Sequence, residues 1–400
     1  MEPGYFNVTD QVKIGQPDVD PAMTVAVQLK VYGEYQNFII PIKYKFTDPV
    51  RGELYEPLVL LPPLVVAPDE HVKMSIDNNK FEGTLSITAN KKNITATLGD
   101  PAITQPDQPK TEYVTKKISF PEKGRPVEVS YKVDAQKDNE YTFWVLNDGT
   151  KTPLYSQEMR QVKYDHIPYI NYYKKASVDN RRLDLKTYNK KIGYIPGAGD
   201  KVPEALEQMG YEVNRLTEKE LSRNNLDRFD VIITGVRAYN TNDWMNKYYD
   251  KLMKYVNDGG NLIIQYNTSN NLGPVRAKID PYNLTITRNR ITDENAVVTI
   301  LKPDHPAFNF PNKITDDDFK GWIQERSIYH GSDTSGKYEK LIRMNDPGEQ
   351  PDDGSLMVGR YGKGWITYTG LVFFRELPAG VPGAYRLLAN IIALNRKKGF

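Results

Sequence analysis

The hydrophobic period of this chain changes near Lys191, and that change constrains the fold more than any other feature. Before it, apolar residues recur at every second position. In Thr24-Val-Ala-Val-Gln-Leu-Lys-Val31, residues Val25, Val27, Leu29 and Val31 share one face, opposite Ala26, Gln28 and Lys30. Val127, Val129, Tyr131 and Val133 repeat the pattern. With turn clusters at Asp77-Asn-Asn79 and Asn147-Asp-Gly149 and hardly any helical periodicity, the first 165 or so residues predict β-sandwich modules. The proline-rich stretch from Leu61-Pro-Pro63 to Ala67-Pro-Asp69 predicts the join between two of them. Pro101 to Pro109 reads as another join or as a long loop inside the second module.

From Lys191 onward, strands alternate with helices. Ile192–Ile195 reads as a strand. Asp200 is then a helix N-cap, Val202, Ala205, Leu206 and Met209 form an apolar face, and Gly210 is the stop. A strand over Tyr211–Leu216 precedes a capping-box signature, Thr217-Glu-Lys-Glu220. Asp230–Thr234 has the continuous apolar character of a fully buried strand. Trp244, Tyr248, Leu252 and Val256 follow at intervals of four, Gly259-Gly260 ends that helix, and Asn261–Gln265 is the next strand. Residues 269 to 360 interrupt the alternation as a polar insertion. It resumes at Trp365–Val372 and closes with a helix beginning near Pro382. Strands joined by helices of this length predict a parallel sheet. The expected architecture is therefore a multidomain β plus α/β chain. It comprises a partial β-sandwich module over 1–67, a second over 68–185, and a doubly wound parallel sheet over 186–400.

Composition narrows the function classes. The 53 Lys and Arg nearly balance the 51 Asp and Glu, so no broad field draws nucleic acid or an anionic membrane. The Lys190-Lys191 and Arg396-Lys-Lys398 clusters read as solvated ends. Apolar runs such as Leu58–Val66 are broken by proline and fall short of the roughly 20 residues of a membrane-spanning helix. With no cysteine there is no disulfide, thiolate metal site or thiol nucleophile. Met1-Glu-Pro-Gly-Tyr-Phe6 has neither a basic nor an apolar signal region, so the expectation is either a cytosolic protein or part of something longer.

In an open parallel sheet, ligands bind beyond the carboxyl ends of the strands, where strand order switches. Three such ends carry glycine or polar residues: Gly197, Gly199 and Asp200; Arg237 and Asn240; Gln265 and Asn267. Two readings stand. Either the glycines let backbone N–H groups and the helix start near Asp200 approach an anion or hydroxyl while Arg237 holds a carboxylate or sugar oxygen, or they only make a tight turn that Arg237 and Asn240 brace. Glu325, Arg326 and Arg375, with Arg288, Arg290 and Glu376, lie in or beside the insertion and read as a substrate clamp or an internal ion-pair network. The histidines 71, 166, 305 and 330 have no metal-ligand spacing. Asp304-His305 reads as a hydrogen-bonded turn, and Asp316-Asp-Asp318 and Asp352-Asp353 as solvated acidic loops rather than Ca²⁺ sites.

Several stretches together carry a family resemblance. They are Tyr44–Tyr55 followed by Leu61-Pro-Pro63, then Tyr194-Ile-Pro-Gly-Ala-Gly-Asp-Lys-Val-Pro-Glu-Ala-Leu206, and Gly370-Leu-Val-Phe-Phe-Arg-Glu-Leu-Pro-Ala-Gly-Val-Pro-Gly-Ala-Tyr-Arg386. With Thr234–Thr241 and Thr292–Ala296, they resemble the C-terminal half of large bacterial PIG-L (LmbE-like) deacetylases. The resemblance implies β-sandwich accessory modules followed by a flavodoxin-like domain similar to class I glutamine amidotransferases and ThuA-like proteins. It also implies a secreted or periplasmic parent acting on N-acetylated sugars. In that family zinc belongs to an N-terminal deacetylase domain whose His-Pro-Asp-Asp loop has no match here. Asp304-His-Pro306 lacks the following aspartates, so no cofactor is expected on this chain. Tyr266 and Asn267 stand where an amidotransferase would place its nucleophilic cysteine. The resulting expectation is a non-catalytic region that binds a carbohydrate or small polar ligand through the residues named above, with the deacetylase domain as a partner. The alternatives are a hydrolase using Glu325 or His305, and a protein-docking scaffold.

Overall fold

The computed structural model describes residues 8–16, 20–76, 80–103, 111–135, 137–149, 154–167, 169–223, 225–269 and 274–396. The expected turn at 77–79, most of 101–109 and Lys397-Lys398 lie outside them. The fold is β-rich, with many separate sheets. The chain forms two compact units. One takes Met1–His71, Glu82–Asp134 and Glu140–Val178, and the other Val72–Phe81, Ala135–Asn139 and Asp179–Phe400.

The first unit follows the period-2 pattern. Leu64–Pro68, Lys80–Ala89, Pro126–Asp134 and Thr111–Tyr113 make one four-stranded sheet; Lys117–Phe120, Ile94–Leu98, Val145–Asn147 and Leu154–Tyr155 make another. Alternate residues are buried along Leu64–Pro68 and Ile94–Leu98, which leaves each strand with one core face and fits β-sandwich modules. Val129, Tyr131 and Val133 are buried as their spacing predicts. Two expectations need correction. Leu64–Pro68 pairs with Lys80–Ala89 through Pro68, so Ala67-Pro68 is part of a strand rather than a join. Thr24–Val31 is a strand, but among the described residues it pairs only with Glu34–Pro41, and Val25, Leu29 and Val31 remain exposed. A two-stranded ribbon has no second layer of its own against which to bury a face.

In the second unit a seven-stranded sheet carries the α/β pattern. Its strands are β1 (Lys191–Ile195), β2 (Glu212–Arg215), β3 (Val231–Thr234), β4 (Asn261–Gln265), β5 (Tyr338–Lys340), β6 (Leu356–Tyr361) and β7 (Gly364–Thr369). The order is β2-β1-β3-β4-β7-β6-β5. The first five strands in this order run parallel, while β6 and β5 are antiparallel additions. Residues 338–340 and 356–360 therefore belong to the sheet and not to the insertion in which the sequence pattern places them.

The continuous apolar character of these strands follows from burial on both faces. Ile192, Val231, Ile233 and Ile263 pack with α1 (Val202–Gln208), through Val202, Ala205 and Leu206. The neighbouring residues Ile232, Leu262 and Ile264 face the other way, onto Leu221 of α2 (Glu218–Arg223) and Leu252, Met253 and Val256 of α3 (Tyr249–Asn257). The last long helix, α4 (Pro382–Ile392), returns to the first side with Leu387, Leu388, Ile391 and Ile392. Trp244 falls in a 3-10 turn, Asp243–Tyr248, ahead of α3, so the predicted helix is two pieces. The insertion is held by short antiparallel pairs, including Arg290–Ile291 with Ser327–Ile328 and Thr285–Ile286 with Gly331–Ser332.

Candidate functional site

Strand order switches between β1 and β3, and the two loops that leave their carboxyl ends meet there. The approach is close. A Cβ on Gly197 would stand 2.1 Å from the Val236 carbonyl oxygen, and one on Gly235 would lie 2.9 Å from Gly197 N. Ala198 N–H donates to Val236 O at 2.8 Å, and Gly199 adopts φ +100°. The space at this junction is filled by Asp200. Its Oδ1 accepts from the Tyr194 hydroxyl at 2.6 Å and Val202 N–H at 3.0 Å, while Oδ2 accepts from Val236 N–H at 3.2 Å. Gln265 Nε2 donates to Tyr194 at 3.1 Å, completing a chain across β1 and β4. Burial, with Asp200 alongside, pushes the Tyr194 phenol well above its usual range. The protein's own carboxylate takes the helix-start N–H of Val202, which the sequence pattern offers to an anion, together with Val236 N–H from the β3 loop. Gly197, Gly199, Asp200 and Gln265 thus build the floor.

Asn240 and Asn267 are also internal. Asn267 accepts from Tyr239 N–H at 2.9 Å, and Asn240 exchanges bonds with the Thr268 backbone at 2.9 and 3.0 Å. They brace the β3 and β4 loops, as the second of the two sequence readings has it. Arg326 braces the insertion. Its guanidinium is buried and donates to the carbonyls of Ala296 and Phe319, and burial lowers its pKa.

Arg237, Glu325 and Arg375 come together around Tyr266, the first residue after β4. The charges of all three bear on its phenol, whose pKa burial raises. Tyr329 lies parallel to Tyr266, with centroids 5.9 Å apart and planes within 9°, and Phe374 is tilted against it at 5.3 Å. These side chains are half-buried. They come from the ends of β3, β4 and β7 and from the insertion, and form one cluster of rings and charges at the carboxyl edge of the sheet. Arg375 Nε is paired with Glu325 at 2.9 Å and its Nη1 reaches Gln324 at 2.5 Å. Arg237 differs. Its N–H donates to Tyr266 O at 2.8 Å and fixes it at φ 59°, yet among the described residues its side chain has no ion pair or hydrogen bond, and Nε is out of solvent without an acceptor.

Beneath Tyr329 lies a constellation the sequence spacing did not reveal. Ser327 Oγ is 2.7 Å from His330 Nε2, and His330 Nδ1 is 2.5 Å from Asp352 Oδ1. The arrangement has the connectivity of a nucleophilic triad. However, Ser327 is fully buried, and the amides of Ile328, Gly370 and Val372 are spent on Gly370, Ser355 and Arg326 carbonyls. It serves as a brace for the turn that presents Tyr329 at φ 50°. Asp352 is therefore engaged, with Asn289 on its other oxygen, and Asp353 pairs with Arg343. Asp318 closes a capping box with Thr315 and pairs with Arg386 at 2.8 Å. His305 sits away from the Tyr266 cluster. It packs edge-on against Trp365, which pairs with Asn261 at the opposite end of β4, and its Nδ1 accepts from Ala307 N–H.

No family model matches the chain, and no curated protein matches it. Among solved structures it is similar to the exo-β-1,4-mannosidase Op5Man5 from Opitutaceae bacterium strain TAV5, at 12% identity over 52% of this chain with a TM-score of 0.31. The matched part is 35% of that enzyme, so the chain spans about a third of its length. It is also similar to domains 4 and 5 of the S-layer protein SbsC, at 9% identity over 40% of this chain and 68% of that one, with a TM-score of 0.17. Likenesses of this size carry no argument about fold or function.

Proposed function

We propose that the second unit is a ligand-binding domain for a carbohydrate or similarly small polar molecule, received at the Tyr266–Tyr329 cluster, and that it is not itself catalytic. The observation that carries this reading is the half-buried aromatic pair beside Arg237, Arg375 and Glu325. The faces of aromatic rings are negative and attract the slightly positive C–H groups of a sugar ring, while guanidinium and carboxylate groups bind its oxygens.

In this reading the sheet is an amidotransferase-like, flavodoxin-like domain whose catalytic position has been given over to binding. The chain would act as an accessory region of a secreted or periplasmic PIG-L type deacetylase, with zinc chemistry confined to that deacetylase domain. Support for the parent comes from the sequence resemblance alone. The test is a glycan array with the wild-type protein and Tyr329→Ala. Retention of defined glycans by the wild type and their loss from the variant is expected, and an array without any retained glycan would refute the reading.

The hydrolase alternative is weakened for His305, which lies at the wrong end of β4. Glu325 belongs to the cluster around Tyr266, but its carboxylate is engaged by Arg375.

A further inference from the structure

The cluster around Tyr266 contains a charge imbalance that its own residues do not resolve. Around Tyr266 stand two guanidiniums, Arg237 and Arg375, and one carboxylate, Glu325. Glu325 is committed to Arg375 at 2.9 Å. Arg237 is left with no side-chain partner among the described residues, and its Nε is shielded from water. Nε is closed to a ligand as it is to water, whereas the terminal nitrogens are not among the buried atoms. A half-buried cation without a counter-charge is poorly solvated, and an anion that pairs with those terminal nitrogens offsets the cost. The backbone holds the residue in place. Arg237 occupies the left-handed region at φ 59° and ψ 24°, where a side-chain-bearing residue is strained. Its N–H is tied to Tyr266 O, and its carbonyl accepts from Asn240 and Thr241 at 2.9 and 3.1 Å. The same hydrogen bond couples the position of the cation to that of the aromatic platform.

We infer that the ligand is an anionic sugar, a pyranose bearing a carboxylate or phosphate group, whose ring lies on the Tyr266–Tyr329 platform while Arg237 pairs with its charge. This rests on the binding reading above and specifies its substrate class. Neutral sugars can use the platform and the Glu325–Arg375 pair, but they leave Arg237 unmatched. A planar guanidinium offers a two-point contact to either anion, so carboxylate and phosphate share the recognition chemistry.

Titration calorimetry with glucose, glucuronate and glucose 6-phosphate tests the inference on the full chain. At least one charged sugar should bind tenfold or more tightly than glucose. Arg237→Gln should bring the charged sugars to the affinity of glucose, and Arg237→Lys should keep part of the preference. If Arg237→Gln does not fold, judged by circular dichroism, the wild-type comparison and Arg237→Lys still decide. Equal affinity for glucose and both charged sugars, or a preference that survives unchanged in a folded Arg237→Gln, overturns the inference while leaving the platform reading intact. If none of the three binds and the glycan array is also empty, the binding reading itself has failed. The charged member of the pair that binds more tightly identifies the source of the anion.

Discussion

Replacing Gly197 by alanine should damage the site more than any other single methyl group placed in its loops. The added Cβ would lie 2.1 Å from Val236 O, 2.8 Å from Ala238 N and 2.9 Å from the Val236 carbonyl carbon. All three are backbone atoms, so no rotamer change can relieve the clash. Restoring ordinary contact requires the β1 and β3 loops to part by more than about 1 Å. That separation breaks the 2.8 Å bond from Ala198 N–H to Val236 O and carries Arg237 away from Tyr266. Overpacking of this kind costs about 1–3 kcal/mol and the lost hydrogen bond about 1 more, for a total of about 2–4 kcal/mol. Gly199→Ala is the internal control. Its φ of +100° disfavours a side chain, but nothing lies within 4 Å of its Cβ position, so the cost should be only about 1–2 kcal/mol.

A chain with two compact units has no single unfolding free energy, so the measurement should be local. Amide hydrogen exchange at Ala198 and Arg237 reads the opening of the two loops directly. The expected loss for Gly197→Ala corresponds to roughly 30-fold to several-hundred-fold faster exchange at both amides. Exchange within threefold of wild type, or a larger effect from Gly199→Ala, would refute the argument that backbone proximity dictates glycine at position 197.

Three titratable groups give further predictions. Asp352 is held below the usual carboxylate range; burial opposes this, but the His330 contact and the Gly354 N–H outweigh it. Its contribution is full above the unfolded pKa of about 4 and is lost as pH falls towards the folded value, so Asp352→Asn should lower stability at pH 7 and flatten the acid limb of a thermal-melt profile. Glu376 is pushed up to about 8, chiefly by burial, with Ile323 N–H and Arg326 pulling the other way. Its ionisation opposes folding as pH rises from about 4 to 8, so Glu376→Gln should gain on the order of 2–4 kcal/mol more at pH 9 than at pH 5 in the second unit's own transition, resolved in denaturant melts. His305 is shifted down by burial, so the unfolded chain takes up a proton first. Stability should therefore fall as pH drops below about 6.5, and His305→Asn, which can still accept from Ala307 N–H, should reduce that slope in the same melts.

The sheet elements were legible because burial on both faces writes continuous apolar runs into the sequence. Asn261–Gln265 is a strand with the bounds its pattern predicts, and α1 and α4 bury the predicted faces. The edge strands were less visible: β5 is three residues long, Tyr338–Lys340, and is buried at only one of them. In the ribbon beginning at Thr24, alternation predicted the strand but not the exposure of its apolar face, because a period of two does not say whether a second layer exists. The site was half legible. Arg237, Glu325 and Arg375 do gather at the carboxyl edge, whereas Asp200, Asn240 and Asn267 turn inward to the backbone. Tyr266 was marked by its place after β4. Tyr329 and Phe374 were not, since a tyrosine-rich chain gives no reason to single out residues brought to Tyr266 from 63 and 108 positions away. Ser327, His330 and Asp352 have no spacing signature because the contact of His330 with Asp352 closes a loop of 22 residues.

Backbone strain recurs at this edge. Arg237, Gln324 and Tyr329, each of which belongs to the cluster around Tyr266 or directly contacts it, adopt positive φ without being glycine, as Tyr32, Asn93, Asn189 and Asn283 do elsewhere. Each such conformation costs of order 1 kcal/mol or more, and persists only where the surroundings over-determine it. The surroundings here do so. Ser327, His330 and Asp352 lock the turn under Tyr329, the Tyr368 hydroxyl donates to Tyr329 O at 2.7 Å, and Tyr266 O receives the Arg237 N–H. A nucleophile elbow would concentrate its strain on one reacting residue at a strand end. Here the strain is shared among residues that present a ring, an amide and a cation, while Tyr266 at the strand end has an ordinary φ. On the binding reading proposed above, each fixed group would lower the ordering cost of recognition. The pattern also makes the brace testable apart from the platform. Ser327→Ala leaves every rim side chain in place but loosens the turn, so it should weaken sugar binding by several-fold and reduce the near-ultraviolet tyrosine dichroism of the stacked pair. Unchanged dichroism and affinity in that variant would show that Tyr329 holds its place without the relay beneath it.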